Sequence, residues 1–135
     1  DLFGRGPFEN YADRKRAAMV DRYESTVTGQ YVPYILPQEH GNHTDVRWLA
    51  LQGANAGLRV EAQGPLEFSA SHYTAADLFA GKHTYDLHAR PEVILNLDYR
   101  QSGLGTNSCG PGVLEPYQIK PGSRYQWTYV LQPGA

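Results

Sequence analysis

The sequence predicts an all-β fold, an antiparallel β-sandwich with short connecting helices. Three observations carry this reading. Apolar residues alternate with polar ones over several short stretches, which puts one side-chain set on a buried sheet face and the other in water. The stretches recur at spacings of about 8–12 residues, the rhythm of sandwiches and barrels. Between them lie turn residues, drawn from 14 Gly and 9 Pro in a chain of 135. That length suits one domain at the usual ~100–200 residues each. With no repeat, low-complexity tract or linker, residues 1–135 are expected to form a single β-sandwich unit.

Taken along the chain, Asp13 to Glu24 (DRKRAAMVDRYE) is rich in helix formers and predicts a connecting helix. Pro33, inside Tyr31 to Leu36, demotes that segment to an edge strand or extended loop. Leu58, Val60 and Ala62 alternate with Arg59, Glu61 and Gln63; after Gly64-Pro65, Leu66, Phe68 and Ala70 alternate with Glu67, Ser69 and Ser71. Thr74 with Asp77 three residues on has the pattern of a capping box, and Gly81 is a natural stop for the helix between them. Tyr85, Leu87 and Ala89 predict a further strand, Val93, Leu95, Leu97 and Tyr99 a longer one, and Tyr125, Trp127, Tyr129 and Leu131 the last.

Composition removes several classes of function. Ten Tyr, four Phe and two Trp are too many aromatics for a disordered chain. No apolar run approaches the ~20 residues that cross a bilayer, so no membrane partner is expected. A net charge of −2 argues against nucleic acid as a partner. Arg14-Lys15-Arg16 is the only basic run, and Asp13, Asp21 and Glu24 flank it, as on a solvated helix face. A single cysteine supports neither an internal disulfide nor a cysteine-based zinc site. The chain opens on Asp1-Leu2-Phe3, with no Met and no leader in view, which fits a processed product or a piece cut from a longer protein. The motifs below favour the cut piece, and the cytoplasm is the expected location, with periplasmic and secreted locations left open.

Candidate chemistry is thin. Glu61, Glu67, Asp86 and Asp98 fall on the polar sides of alternating strands, where solvated charge explains them. Glu9 and Glu39 lie in loop-like segments and are better placed for acid–base work. His40 and His43 are close in sequence but lack ligand spacing, and pairing them with His83 or His88 requires an assumed fold, so no metal site is predicted. Asn42-His43-Thr44 fits the glycosylation sequon by coincidence. Tyr31, Tyr34, Trp48, Tyr73, Tyr99, Tyr117 and Trp127 could stack on sugar faces or pack in the core. Residues 103–112 (GLGTNSCGPG) form a loop whose glycines let backbone approach a ligand; it lacks the Lys of a phosphate loop. Cys109 within it is read as a buried small apolar residue, since no orienting His and Asn accompany it.

Taken together, the loop motifs resemble one family. Gly6-Pro7-Phe8-Glu9-Asn10-Tyr11-Ala12-Asp13-Arg14 is similar to the GPxENYxDR signature near the C-terminus of large bacterial β-galactosidases of glycoside hydrolase family 2. Tyr31, Pro37-Gln38-Glu39-His40-Gly41 and Asp45-Val46-Arg47-Trp48 resemble the family's Y…PQExG…DVRW block, with His40 where Asn is expected. Phe68-Ser69-Ala70 with Tyr73, Leu97-Asp98, the run from Gly103 to Pro111, and Pro116-Tyr117 continue the match in order over nearly the whole chain.

The resemblance implies the distal part of a last domain, an antiparallel super-sandwich similar to galactose mutarotase. The catalytic glutamates, and the residues holding Mg2+ and Na+, would lie upstream in a (β/α)8 barrel. The piece would then be inactive alone, holding no catalytic residue, metal or cofactor of its own. Its partners would be the remainder of the β-galactosidase chain, a galactoside substrate and further copies in a homo-oligomer, because half a super-sandwich leaves apolar strand faces uncovered. The loop matching Gly103 to Pro111 would reach the active-site mouth, making Asn107, Ser108, Cys109 and Gly110 the substrate-proximal residues. Cys109 stands where the best-known members carry a sugar-stacking Trp, so contacts to the sugar would fall to Asn107 or Ser108. Two other classes remain open on the residues alone. A stand-alone carbohydrate-binding sandwich would bind galactose or lactose unaided, and a mutarotase-like enzyme would need a paired acid and base that the sequence does not set together.

Overall fold

Strand pairing at long range, more than local propensity, sets the architecture. The computed structural model describes residues 1–105 and 112–134. Leu2–Gly6 form β1, whose Leu2, Gly4 and Gly6 are buried while Phe3 is exposed and Arg5 half-buried. Met19–Tyr23 form β2, paired antiparallel with β1 from Leu2↔Tyr23 to Gly6↔Met19. β3 (Trp48–Gln52) and β4 (Gly57–Ala62) pair antiparallel, and β1 also pairs with β3 through Leu2↔Leu49. A second sheet holds β5 (Glu67–Ser71) and β6 (Ile94–Asp98), with Phe68 opposite Leu97. The last strand, β7 (Tyr129–Gly134), joins β4, giving a five-stranded sheet of order β2-β1-β3-β4-β7 beside the two-stranded one.

Packing between the two sheets makes the core. Leu2, Leu49 and Val60 from the larger sheet meet Val46, Leu66 and Phe68, with Leu95, Leu97 and Tyr129 against their flank. Full burial of such side chains stabilises a fold by roughly 1.5–3 kcal/mol each. The larger sheet's outer face carries a cation–aromatic stack instead: the Arg59 guanidinium lies 4.3 Å and that of Arg22 5.7 Å from the Trp48 ring, whose other neighbour is Phe3 at 6.4 Å.

The expected all-β sandwich is therefore observed, and β4, β5 and β6 match the alternating stretches. One short helix, α1 (Ala75–Ala80), begins on the expected capping box: Thr74 Oγ1 accepts from Asp77 N at 3.1 Å and Asp77 Oδ2 accepts from Thr74 N at 2.8 Å. Gly81 ends it with φ −71°, so its use is room, not a left-handed turn; a Cβ there would sit 2.8 Å from Leu87 Cδ2.

Three expectations are overturned. Residues 13–24 are no helix: turns over 12–18 lead into β2, because the ladder to β1 and the packing of Tyr23 into the core outweigh local preference. Residues 85–90 are no strand: Thr84–Asp86 form a 3₁₀ turn held by Asp86 Oδ2, which accepts from Lys82 N and His83 N at 3.0 and 2.9 Å. Finally, the last strand starts at Tyr129, not Tyr125. The Tyr125 hydroxyl donates to Lys120 O, and both Tyr125 and Trp127 pack on Tyr99, at 5.2 and 6.2 Å, drawing 125–128 off the ladder.

Candidate functional site

The loop singled out for substrate contact spans 103–111, and its tip residues Asn107, Ser108, Cys109 and Gly110 lie outside the described residues. Its root is described and is built from the side chains of three distant segments. Asp13, on the turn before β2, accepts from Leu104 N at 3.0 Å through Oδ1 and from Gly105 N at 2.8 Å through Oδ2. Gly103 makes this approach possible, since a Cβ there would lie 2.5 Å from Asp13 Oδ2. Gly103 N donates to Tyr117 O at 2.9 Å, joining the segment after β6 to the 3₁₀ turn at Glu115–Tyr117.

Two residues further back, Gln101 N donates to Glu67 Oε2 at 3.0 Å, and Asn42 Nδ2 donates to the same oxygen at 2.9 Å. Glu67 is buried, contrary to its expected solvated position. The apolar residues of β5 alternate but burial does not: Glu67, Phe68 and Ser69 are all buried, the chain being covered on both faces. Burial raises the Glu67 carboxyl above its ordinary range, an effect only partly offset by the Gln101 and Asn42 donors.

Asn42 continues the network by donating to Asn10 O at 3.1 Å, while its Oδ1, also buried, has no hydrogen-bond partner among the described residues. Asn10 Oδ1 accepts from Thr44 N and Thr44 Oγ1, and its Nδ2 donates to Arg5 O and Phe8 O. The sequon asparagine is thus a buried structural residue, with its amide nitrogen already committed. Asp45 next to this network has the left-handed φ of 53° and is held by Arg5 Nε at 2.5 Å and Lys15 Nζ at 3.0 Å. Burial raises its carboxyl, but those two partners win and hold it below the usual range. Lys15, expected on a solvated helix face, is therefore a tether. The roles of Asn10, Asp13, Asn42 and Glu67 were invisible in the spacing alone; the one signal was that Asn10 and Asp13 sit in the GPxENYxDR block.

A cleft of about 660 Å³ opens beside the root, walled by Lys15, Arg47, Glu67, Tyr99, Arg100 and Tyr117. Two carboxylates line it, Asp45 and Glu67, and both are already engaged, Asp45 by Arg5 and Lys15 and Glu67 by Gln101 N and Asn42 Nδ2; no His is among its described lining residues. The other candidates go elsewhere. Glu9 is gripped by Gly41 N at 2.8 Å, by the Tyr11 hydroxyl at 2.9 Å and by the Tyr34 hydroxyl. Burial raises its carboxyl, yet these donors outweigh that and lower it, while the Tyr34 hydroxyl is pushed up to about 12 by desolvation and by Glu9. Such a carboxylate is a locked acceptor, not an acid–base group. Glu39 is exposed on a loop.

His43 is buried, stacks on Phe68 at 5.2 Å and bonds Arg5 O and Gln30 Oε1, whereas His40 turns to Gln38 O. His83 faces Asp86, His88 is exposed, and among the described residues no group of three or more His, Cys, Asp or Glu is placed to hold a metal ion. The aromatic set divides as well: Tyr31 packs on Tyr73 and His40, Trp48 takes its arginines, and Tyr99 gathers Tyr125 and Trp127. Among the described residues no helix is long and apolar enough to cross a membrane.

Comparison with known proteins gives a consistent answer. The family model for the β-galactosidase small chain matches residues 1–131. A β-galactosidase of Priestia megaterium is 35% identical over 133 residues, covering 97% of this chain and 13% of that protein. One from Vibrio cholerae is 37% identical over 130 residues, covering 96% and 12%. A third, from Actinobacillus pleuropneumoniae, is 34% identical over 119 residues, covering 88% and 11%. The chain thus spans about an eighth of the length of relatives that it matches nearly end to end.

Proposed function

Since the chain belongs to the β-galactosidase small-chain family, we propose that it is the C-terminal sandwich piece of a β-galactosidase, serving structure and assembly and bordering the substrate cleft through its 103–111 loop. The whole enzyme would hydrolyse terminal non-reducing β-D-galactosides with retention, by double displacement between two carboxylates. Those carboxylates, and the Mg2+ and Na+ expected of the enzyme, are assigned to residues outside this chain. The observation that carries the reading is coverage: nearly all of this chain aligns with about 12% of each much longer relative. The acids support it, being scattered or locked into hydrogen bonds, so hydrolysis is not this piece's own work.

The isolated chain is expected to show no hydrolysis of o-nitrophenyl β-D-galactoside and no calorimetric binding of lactose. Binding would favour the stand-alone module. In the whole enzyme, Asn107→Ala and Ser108→Ala are expected to raise KM, and Cys109→Trp to lower it by restoring an aromatic platform. Unchanged kinetics in all three would remove the loop from the cleft. Exposed Ile35, Phe79 and Phe8 are assigned to contacts with the rest of the enzyme and between copies, giving a homo-oligomer. Light scattering that finds a monomer at high concentration would count against it.

A further inference from the structure

We infer that the loop over residues 31–41, with Phe79 beside it, is a docking surface for an apolar face on the remainder of the β-galactosidase chain. The inference deepens the proposed function and rests on it, because it takes this chain to be one part of a longer one.

The corner exposes large apolar side chains beside others that have found cover. Ile35 is 94%, Leu36 64% and Phe79 93% exposed, while their neighbours Pro37 and Leu78 are buried. Grouped exposure of this kind marks an interaction site, whereas single exposed apolar residues need no explanation. Pro37 brings the two elements together: a Cβ on Gly81, at the end of α1, would lie 3.4 Å from Pro37 Cγ. From Tyr31 to Pro37 the chain carries no charged residue, and the one charge on α1, Asp77, is paired with Arg90 at 2.6 Å. The corner therefore suits an apolar partner.

The loop is fixed at its base, so its tip is held out in place. Glu9 takes Gly41 N at one end and the Tyr34 hydroxyl near the other. His40 packs edge-on against Tyr31 at 5.0 Å and against Tyr34 at 6.2 Å, closing the loop on itself. Pro33 and Pro37 bracket the tip, and each locks its own φ. A segment already held in its bound position loses less freedom on docking.

Area decides the occupant. With Phe burying roughly 150–250 Å² when covered and the two aliphatic side chains somewhat less, the three offer about 400–500 Å². A stable dimer takes about 800 Å² from each partner, so this corner is too small to hold a second copy. A second copy would also have to offset lost translational and rotational freedom, a cost that a surface on the same chain largely escapes. Such a surface is at hand, since this chain covers only 13% and 12% of the lengths of two β-galactosidases that it matches nearly end to end.

The test uses the full-length enzyme. Hydrolysis of o-nitrophenyl β-D-galactoside is read first, since a full-length chain without it would sink the β-galactosidase reading itself. Ile35→Cys and Leu36→Cys are then treated with a maleimide, native and denatured, and labelling of the peptide carrying the new thiol is followed by mass spectrometry. The native rate is expected to be lower by on the order of 100-fold, because the thiol reacts only when its cover opens. An active enzyme labelled within about threefold of the denatured rate has an open tip, which overturns the inference and leaves the proposed function standing. Ile35→Asp separates the occupants. With the cover on the same chain, its thermal midpoint falls by several degrees while light scattering finds the subunit count unchanged. A fall in subunit count would place a second copy on the tip and overturn the inference, as would no change in either quantity. Should Ile35→Asp fail to fold, Ile35→Ser is read in the same way.

Discussion

Leu49 and Asn42 are buried alike, each about 1% exposed, yet they sit in regions held together by different means. Around Leu49 the backbone is paired by ladders to β1 and β4, and its side chain belongs to the apolar core with Leu2, Val60 and Phe68. Around Asn42 there is almost no regular structure; side chains do the bonding that ladders do elsewhere. The apolar region tolerates volume-conserving change because its cohesion is non-directional. The polar region does not, since its cohesion is directional, and stranding a buried donor or acceptor costs that group's full desolvation. A rigid loop root can be made from irregular chain only in this second way.

The sharpest way to break the comparison is Asn10→Ala. It removes two donors and an acceptor serving Arg5 O, Phe8 O, Thr44 N and Thr44 Oγ1 at a buried position. At ~1–3 kcal/mol for each stranded group, with incomplete additivity, a loss of about 3–5 kcal/mol is expected. Hydrogen exchange across 40–45 should read it as lost protection. A loss below about 1 kcal/mol would mean that water replaces the asparagine freely and that the network is not a closed one.

Leu49→Ala probes the other region at nearly the same scale, about 2–5 kcal/mol from transfer and cavity terms together. The informative quantity is its pattern. Protection should fall over β1, β3 and β4 while the Asp13–Gly105 contact persists. If both substitutions open the same peptides equally, the two regions are one cooperative unit and the contrast dissolves.

The contrast also explains what could be read in advance. β4, β5 and β6 were legible because their apolar residues follow period 2. β1 was not, since two of its three inward positions are Gly4 and Gly6, which carry no apolar signal. β3 was missed because Trp48 is apolar on the outward face, covered by arginines that only the fold supplies. β2 was mistaken for helix because its pairing to β1 is worth more than the preference of its residues. The site was less legible still. An Asn, Asp or Glu reads as solvated until its partners are known, and those of Asp13 and Glu67 lie 91 and 34 residues away in sequence. What the sequence did offer was the motif block, a correct pointer to the segment without the role.

A smaller effect is expected at α1. Thr74→Ala removes one half of its reciprocal capping box and should cost about 1 kcal/mol, visible as a modest fall in the thermal midpoint. The helix lies outside both regions, so the change should leave protection at 40–45 and at Leu49 untouched. Spread of the effect into either would show that α1 supports it.

The finest test lies at Glu67, where the two regions meet: its neighbour Phe68 belongs to the core and its own carboxyl to the polar network. The folded state holds this carboxyl above its ordinary range, chiefly through burial. The folded protein therefore binds the Glu67 proton more tightly than the unfolded chain does. Its contribution to stability is fully present below the unfolded value and is lost as pH rises through the folded one. Glu67→Gln keeps an oxygen for Gln101 N and Asn42 Nδ2 without the charge. Relative to the parent, it should be indistinguishable in mildly acidic solution and more stable at neutral pH, by less than the capping effect because the two donors already offset much of the burial. Comparing the two proteins across pH cancels Asp45 and Glu9, whose lowered carboxyls act in the opposite sense, with stability lost as pH falls through their folded values. Denaturant midpoints that separate as pH rises would place the charge inside the folded region. Midpoints that separate only as pH falls would reverse the sign and mean that the ionised form is the one the fold prefers, making the Gln101 and Asn42 bonds stronger than the burial they oppose.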